Sequence, residues 1–427
     1  MYILILGGGF LLSACSPISR DSAPAGLTTP EADLPTAETR FPVFTQNVEL
    51  QATLSIFHSW AEENRPVLNA ILREFSKRYP DIYFDVTYIP ADELRNLYTN
   101  EAAEGRGPAI LLGPVEWGPD FREAGLIREL GELIDPEILE NLNPAAVETS
   151  HYAGSLVSLP YAIHGVVLFR NEDIMTIGAN NFDELVMLAQ AASQGEIAGA
   201  FLERSTYFSA GHLFGLGGSL MDENGYPAFA TPEGEAWLRL LLAFQFAGKT
   251  AFLSDQDLEE FKAGRAGWII EGSWKMEELA QAIGADRLTV DPWPEVENGR
   301  MSGFVHSDNL YLNSNVDQDT QAAAEAFMEF FLSQTAQSHL VEVTLIPALL
   351  YLDLPPTEMS FIISQSMTAL ADGSAYPDLP VMDTYLLHLD SAIKSYLENG
   401  LSASEALNQA SAAILEDLTP AEVTPTP

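Results

Sequence analysis

Seven histidines, one cysteine and 61 acidic residues are the groups through which this 427-residue chain could do chemistry. Their spacing removes most of the options. His58, His151, His164, His212, His306, His339 and His388 contain no His-x-x-x-His pair, the helical spacing that turns two imidazoles onto one metal. The lone cysteine, Cys15, excludes an intrachain disulfide and a thiolate metal cluster. Neither a Gly-x-Ser-x-Gly elbow nor a P-loop occurs, so the simplest serine hydrolase and nucleotide chemistries fall away. No catalytic residue, metal or cofactor is expected. Two carboxylates across a cleft could cleave a glycoside, and among 61 acids such pairs arise by chance, so counting leaves that alternative open. With 20 Lys+Arg against those acids the net charge is −41. No basic patch is available for DNA, RNA or an anionic lipid surface.

The other side chains with a chemical use are flat rings near polar atoms: Trp60, Trp117 beside Glu116, Tyr161, His164 and Trp274. What they can do depends on the elements that carry them. Thr53–Phe57 is a short β run. Val67, Leu68, Ile71, Leu72, Phe75 and Tyr79 then lie on one face of a helix that starts near Asn64, with Pro66 in its first turn, and stops at Pro80. Ile82–Ile89 predicts a second strand, Asp92–Ala103 a second helix and Ala109–Leu112 a third strand. This alternation is that of a parallel sheet covered on both faces, in which ligands meet the carboxyl ends of the strands. The loops Ser59–Glu63 and Gly113–Gly118, which hold Trp60, Glu116 and Trp117, fall there. Trp237 and Trp268 sit inside apolar periodic segments and read as core; Trp293 is undecided. Near the end, Tyr385, Leu389, Ile393 and Tyr396 form one helical stripe, and Ser402 with Glu405 forms a capping box.

The two ends of the chain have a different composition. Tyr2–Leu6 and Phe10 make an apolar run too short to span a bilayer, and Ser13-Ala14 before Cys15 resembles a bacterial lipobox, in which that cysteine is lipidated. No Lys or Arg precedes the run, a departure from the usual signal. A dinucleotide-binding turn at Gly7-Gly8-Gly9 fails, because Leu12 stands where a third glycine would be needed. Residues 16–47 are rich in Ser, Thr, Pro and Ala and read as a disordered tether spanning about 30 Å. Thr419–Pro427 repeats that composition as a disordered tail. A hydrophobic fraction of 47% leaves ample core for the body between them.

Within that body, Tyr152-Ala153-Gly154-Ser155-Leu156-Val157-Ser158-Leu159-Pro160-Tyr161 followed by Leu168-Phe169-Arg170-Asn171-Glu172-Asp173 resembles a pattern of the family 1 extracellular solute-binding proteins, the sugar-type receptors of ABC importers. Phe182-Asp183-Glu184-Leu185 resembles a second block. Phe261-Lys262-Ala263-Gly264-Arg265-Ala266-Gly267-Trp268-Ile269-Ile270-Glu271-Gly272-Ser273-Trp274 resembles a third. Ala324–Leu332 with Ile346-Pro347-Ala348 resembles the closing one. Four blocks in order, over about 50 to 415, carry the likeness.

The resemblance implies an α/β, two-lobe periplasmic-binding-protein-like fold, each lobe a sheet flanked by helices, with a hinge and an interlobe cleft. One lobe would hold 48–160 and 305–350, the other 163–302 and 358–415. Chain crossings would lie near Pro160–His164, Gly303–Asn309 and Pro347–Pro356. It implies a monomer that captures a small solute, most often a carbohydrate, for ABC permease subunits. The protein would be held by Cys15 on the outer face of the bacterial cytoplasmic membrane. A sugar site needs flat aromatic surfaces with directed donors and acceptors, for which Trp60, Glu116, Trp117, Tyr161, His164 and Trp274 are the candidates. Trp274 comes from the family position that stacks on ligand. The alternatives are a lipid-anchored glycoside-acting enzyme and a surface adhesion protein.

Overall fold

A computed structural model of the chain describes residues 50–377, 379 and 381–418. The lipobox cysteine Cys15, the tether at 16–47 and the tail at 419–427 lie outside the described residues. The first strand, β1 (Ala52–His58), runs parallel to β2 (Ile82–Tyr88) and to β3 (Ile110–Pro114). Between β1 and β2 stands the helix Arg65–Arg78, with Asn64 at its N-cap position, Pro66 in the first turn and Val67, Leu68, Ile71, Leu72 and Phe75 buried. Phe75 meets Phe327 and Phe330 of the helix Gln318–Phe331 at ring distances of 5.2 and 5.4 Å. Each fully buried Phe of this kind contributes roughly 1.5–3 kcal/mol.

The expected parallel opening is present, but the whole sheet is mixed. It continues through β4 (Leu159–Asn171), β5 (Ala198–Glu203), β6 (Lys249–Ala251), β7 (Ala266–Gly272), β8 (Leu288–Asp291), β9 (Phe304–Leu312), β10 (Ile346–Pro347) and β11 (Ser374–Ala375). Along its main path the order is β2-β1-β3-β9-β4-β7-β5-β6. β5 is parallel to β6 and β7, giving a second set of three parallel strands. Between the two sets, β9 runs antiparallel to β3 and to β4, and β4 runs antiparallel to β7. Two long strands returning between the sets are what a local β-α-β pattern cannot announce.

β4 changes partners along its length. Leu159–Gly165 pairs with β9, while Val166–Asn171 pairs with β7 and β8. At the change the two backbones touch. A Cβ on Gly165 would lie 2.1 Å from the carbonyl oxygen of Phe304, and one on Gly303 would lie 2.1 Å from that of Val166. Only glycine fits both places. The ladder between β4 and β9 also carries a bulge. Asp308 pairs with Ala162 and Asn309 with Pro160, which leaves Tyr161 as the extra residue. The Tyr161 carbonyl is satisfied by Gln337 Nε2 at 3.0 Å and the Ala348 amide at 3.3 Å.

Trp237 and Trp268 are fully buried, as read from the sequence, and Trp293 joins them at 2% exposure. In the helix Met382–Glu398, Tyr385, Leu389 and Ile393 are buried. The helix Ala403–Leu418 opens on the expected capping box: the Glu405 amide donates to Ser402 Oγ at 3.2 Å and the Ser402 amide donates to Glu405 Oε2 at 3.1 Å. Among the described residues no helix is long and apolar enough to cross a membrane.

Candidate binding cleft

The cleft forms where β4 and β9 cross between the two parallel sets. His164 and His306 are direct cross-strand partners, and their rings stack 5.4 Å apart at 4°. Trp274 follows β7 in a short 3-10 turn, Ser273–Lys275, and meets the His164 ring edge-on at 6.1 Å. Tyr207, in the first turn of the helix Thr206–Gly215, lies 6.4 Å from Trp274 and 6.1 Å from His306, with its hydroxyl 3.2 Å from His306 Nε2. The four rings are contiguous. Trp274, Tyr207 and His164 line a cavity of about 450 Å³ together with Ser273, Asp308 and the Thr344–Ile346 loop. That volume is in the range of small-ligand sites.

Trp274 is held open by a glycine. A Cβ on Gly272 would stand 2.0 Å from the indole, so the ring lies flat over the strand end and keeps 46% of its surface exposed. The first parallel set ends in the same way. Gly113 in β3 is followed by the 3-10 turn Val115–Trp117, and a Cβ there would lie 2.4 Å from the Trp117 ring. Trp117 also packs edge-on against Phe121 at 6.0 Å and is partly buried, outside the cavity lining. Glu116 beside it is exposed. Desolvation, with a further push from Asp308, raises its pKa against the lowering pull of its own backbone amide and Arg95.

The other two candidates support the wall from behind. Tyr161 is 2% exposed and Trp60 9%. Trp60 Nε1 donates to the Tyr161 hydroxyl at 3.0 Å, so the buried phenol and indole satisfy each other. Burial pushes the Tyr161 phenol well above its ordinary value, with Asp308 adding to the shift. Of the six residues singled out from the sequence, His164 and Trp274 line the cavity. Trp60 and Tyr161 are paired in the core beneath it, and Glu116 and Trp117 stand on the adjoining strand end.

Sequence reasoning missed Tyr207, Ser273, Thr344 and Asp308. Ser273 lay beside Trp274 in the third block, and its hydroxyl accepts from the Gly165 amide at 3.1 Å, linking the turn to the crossing strand. Thr344 adopts φ 57°, a left-handed conformation that a β-branched residue rarely takes outside a constrained turn. Asp308 faces the same side of β9 as His306, two residues away. Burial raises its carboxyl pKa, with His164 opposing. His306 is pushed down to about 3, first by burial and then by the neighbouring His164, so its imidazole is neutral at physiological pH. Among the described residues no group of three or more His, Cys, Asp or Glu side chains could hold a metal ion.

This fold, with a cleft between two parallel sets joined by crossing strands, defines the two-lobe class of solute receptors. A family model described as bacterial extracellular solute-binding protein matches residues 70–357, and the chain belongs to that family. The maltotriose-binding protein of Pyrococcus abyssi is 25% identical over 246 residues, 56% of this chain and 53% of that protein, so the match spans about half of that relative's length. The galactooligosaccharide-binding protein of Bacillus subtilis is 23% identical over 327 residues, 72% of this chain and 76% of that one. Among solved structures, an extracellular solute-binding protein from Staphylococcus aureus in complex with maltose superposes with a TM-score of 0.73 at 17% identity, covering 86% of this chain and 97% of that one.

Proposed function

We propose that this protein is the receptor of an ABC importer, that it captures a neutral oligosaccharide in the cleft and that it performs no chemistry itself. The observation that carries the reading is the cavity of about 450 Å³ in which Trp274, Tyr207 and His164 present ring surfaces beside the polar groups of Asp308 and Ser273. Flat rings suit the C–H faces of a pyranose, and acceptors at fixed directions suit its hydroxyl rim. Two relatives are named for maltotriose and galactooligosaccharides, which places such sugars first among the candidates. In this reading one lobe comprises 48–160 with 305–350 and the other 163–302 with 358–415. β4 and β9 act as hinge strands, and closure around ligand creates the shape that the permease recognises. The protein works as a monomer, anchored by a lipid on Cys15 at the outer face of the cytoplasmic membrane.

A thermal-shift series with maltotriose and galactooligosaccharides tests the receptor role. Ligand at 100 times its dissociation constant adds about 2.7 kcal/mol of stability, a visible rise in midpoint, whereas turnover of a glycoside without such a rise supports the enzyme alternative. Cys15→Ser tests the anchor: the variant is expected to leave the membrane fraction or to keep its signal, and full membrane retention with the signal removed refutes it.

A further inference from the structure

Asp308 is a carboxylate that the fold itself does not use. It lies on β9 at the bulge, where its partner Ala162 is followed by the displaced register around Tyr161, and bulges of this kind re-aim neighbouring side chains at sites. It lines the cleft. Among the described residues it has no ion pair, and no side-chain hydrogen bond reaches it. Its neighbours Ser307 and Asn309 have buried oxygens without a partner, whereas the Asp308 carboxylate opens on the cleft, where it can accept from a molecule bound there. The cavity lining holds no Lys or Arg, and three basic side chains on neighbouring elements are engaged elsewhere. Arg95 pairs with Asp120, Lys275 with Glu278, and Arg65 lies over the Tyr88 ring. Glu116 adds a second carboxylate close enough for Asp308 to raise its pKa.

We propose that Asp308 sets the charge selectivity of the cleft, accepting hydrogen bonds from hydroxyl or ammonium groups of a saccharide and excluding saccharides that bring a carboxylate or phosphate to it. The proposal rests on the saccharide reading above and extends its ligand class from neutral to amine-bearing sugars, while closing it to acidic ones. The attractive part is an acceptor awaiting a donor, stronger when the donor is charged. The repulsive part is a like charge in a partly desolvated site with no cation to absorb it. A receptor for uronates or sugar phosphates would need an Arg or Lys in the lining, where this cleft has Asp308.

The test is calorimetric titration at pH 8 with maltotriose and galactotriose, and with analogues in which the hydroxymethyl group of each ring in turn is oxidised to a carboxylate or replaced by an aminomethyl group. For the trisaccharide that binds, a carboxylate on at least one ring is expected to weaken binding tenfold or more, and an aminomethyl group on that ring to leave it unchanged or tighter. Asp308→Asn is expected to bring the carboxylate analogue within threefold of the parent sugar and to melt no lower than the unsubstituted protein. Carboxylates tolerated on every ring, discrimination that persists in Asp308→Asn, or a lowered melting midpoint in that variant each overturn the proposal. Failure of both neutral trisaccharides to bind would instead remove the saccharide reading and the proposal with it, so the two failures are told apart.

Discussion

Trp274 offers the sharpest perturbation of the cleft, because its ring is neither core nor free. An indole side chain presents about 200 Å², and 46% of Trp274 is exposed, leaving roughly 100 Å² toward the cavity. A sugar ring stacked on one face would cover about half of that, some 50 Å². At about 25 cal/mol per Å² the stacking contributes about 1.3 kcal/mol, close to tenfold in affinity. Trp274→Ala is therefore expected to weaken ligand binding about tenfold. Its stability cost should stay below the roughly 3–5 kcal/mol typical of a fully buried Trp, because nearly half of the side chain is exposed. Gly272→Ala is the companion variant. Its backbone, at φ −72°, accepts alanine, but the new methyl would stand 2.0 Å from the indole and must push the ring away. It keeps the tryptophan and is expected to weaken binding at least threefold. Titration calorimetry with maltotriose and denaturation midpoints on the same samples give both numbers. Unchanged affinity in both variants would show that the ring does not meet ligand, whatever happens to stability.

Two further perturbations test the supporting structure. Asp257, buried at 3% exposure, is pushed up to about 7 by burial, then by Glu203 and Glu271. A carboxyl raised from 3.8 contributes stability below that value and loses it as pH rises through about 7, at most about 4 kcal/mol. Asp257→Asn should flatten that fall, with a higher urea midpoint than the parent at pH 8 and a similar one only near pH 4; an unaltered slope would clear Asp257 as its source. Arg170 donates from Nε to both Asp291 oxygens at 2.9 Å, and Trp268 Nε1 donates to Asp291 Oδ2 at 2.8 Å. Arg170→Ala leaves that carboxylate buried without its cation and is expected to cost about 3–5 kcal/mol, read as a fall in denaturation midpoint; a loss under about 1 kcal/mol would mean the pair is effectively solvated.

The parts legible in the sequence are those written in local periods. The stripe from Val67 to Phe75, the β-α-β-α-β opening and the Ser402–Glu405 box depend on neighbours within a few turns, and each stands as read. The parts that were not legible depend on register. The sequence offers Trp60 to a ligand from the end of the first strand and Tyr161 from beside the expected crossing at Pro160–His164. The Tyr161 ring turns inward as the extra residue of the β4 bulge, which shows only in the register against β9, and Trp60 is tied to it through its Nε1 bond to the Tyr161 hydroxyl. Ser307, Asp308 and Asn309 are three consecutive polar residues, and only their pairing with β4 separates the one lining the cleft from Asn309, whose amide is spent on Ser150 and Ser158 at 2.9 and 2.7 Å. Arg170 belonged to a recognised block, but its partner Asp291 lies 121 residues further on.

β4 and β9 stand in two places at once. They hold His164, His306 and Asp308, and they are also the strands that pass from one parallel set to the other. At their change of partners Gly165 and Gly303 let the backbones approach so closely that a methyl on either would strike a carbonyl oxygen at 2.1 Å. In the proposed closing motion, rotation of one set against the other would be taken up as twist in these two hydrogen-bonded strands and in the irregular stretch 351–357. A ligand that draws on Asp308 or stacks on Trp274 acts within a few residues of that pivot. If the lobes close as proposed, binding and bending would share the same backbone, and coupling them would need no relay through distant side chains.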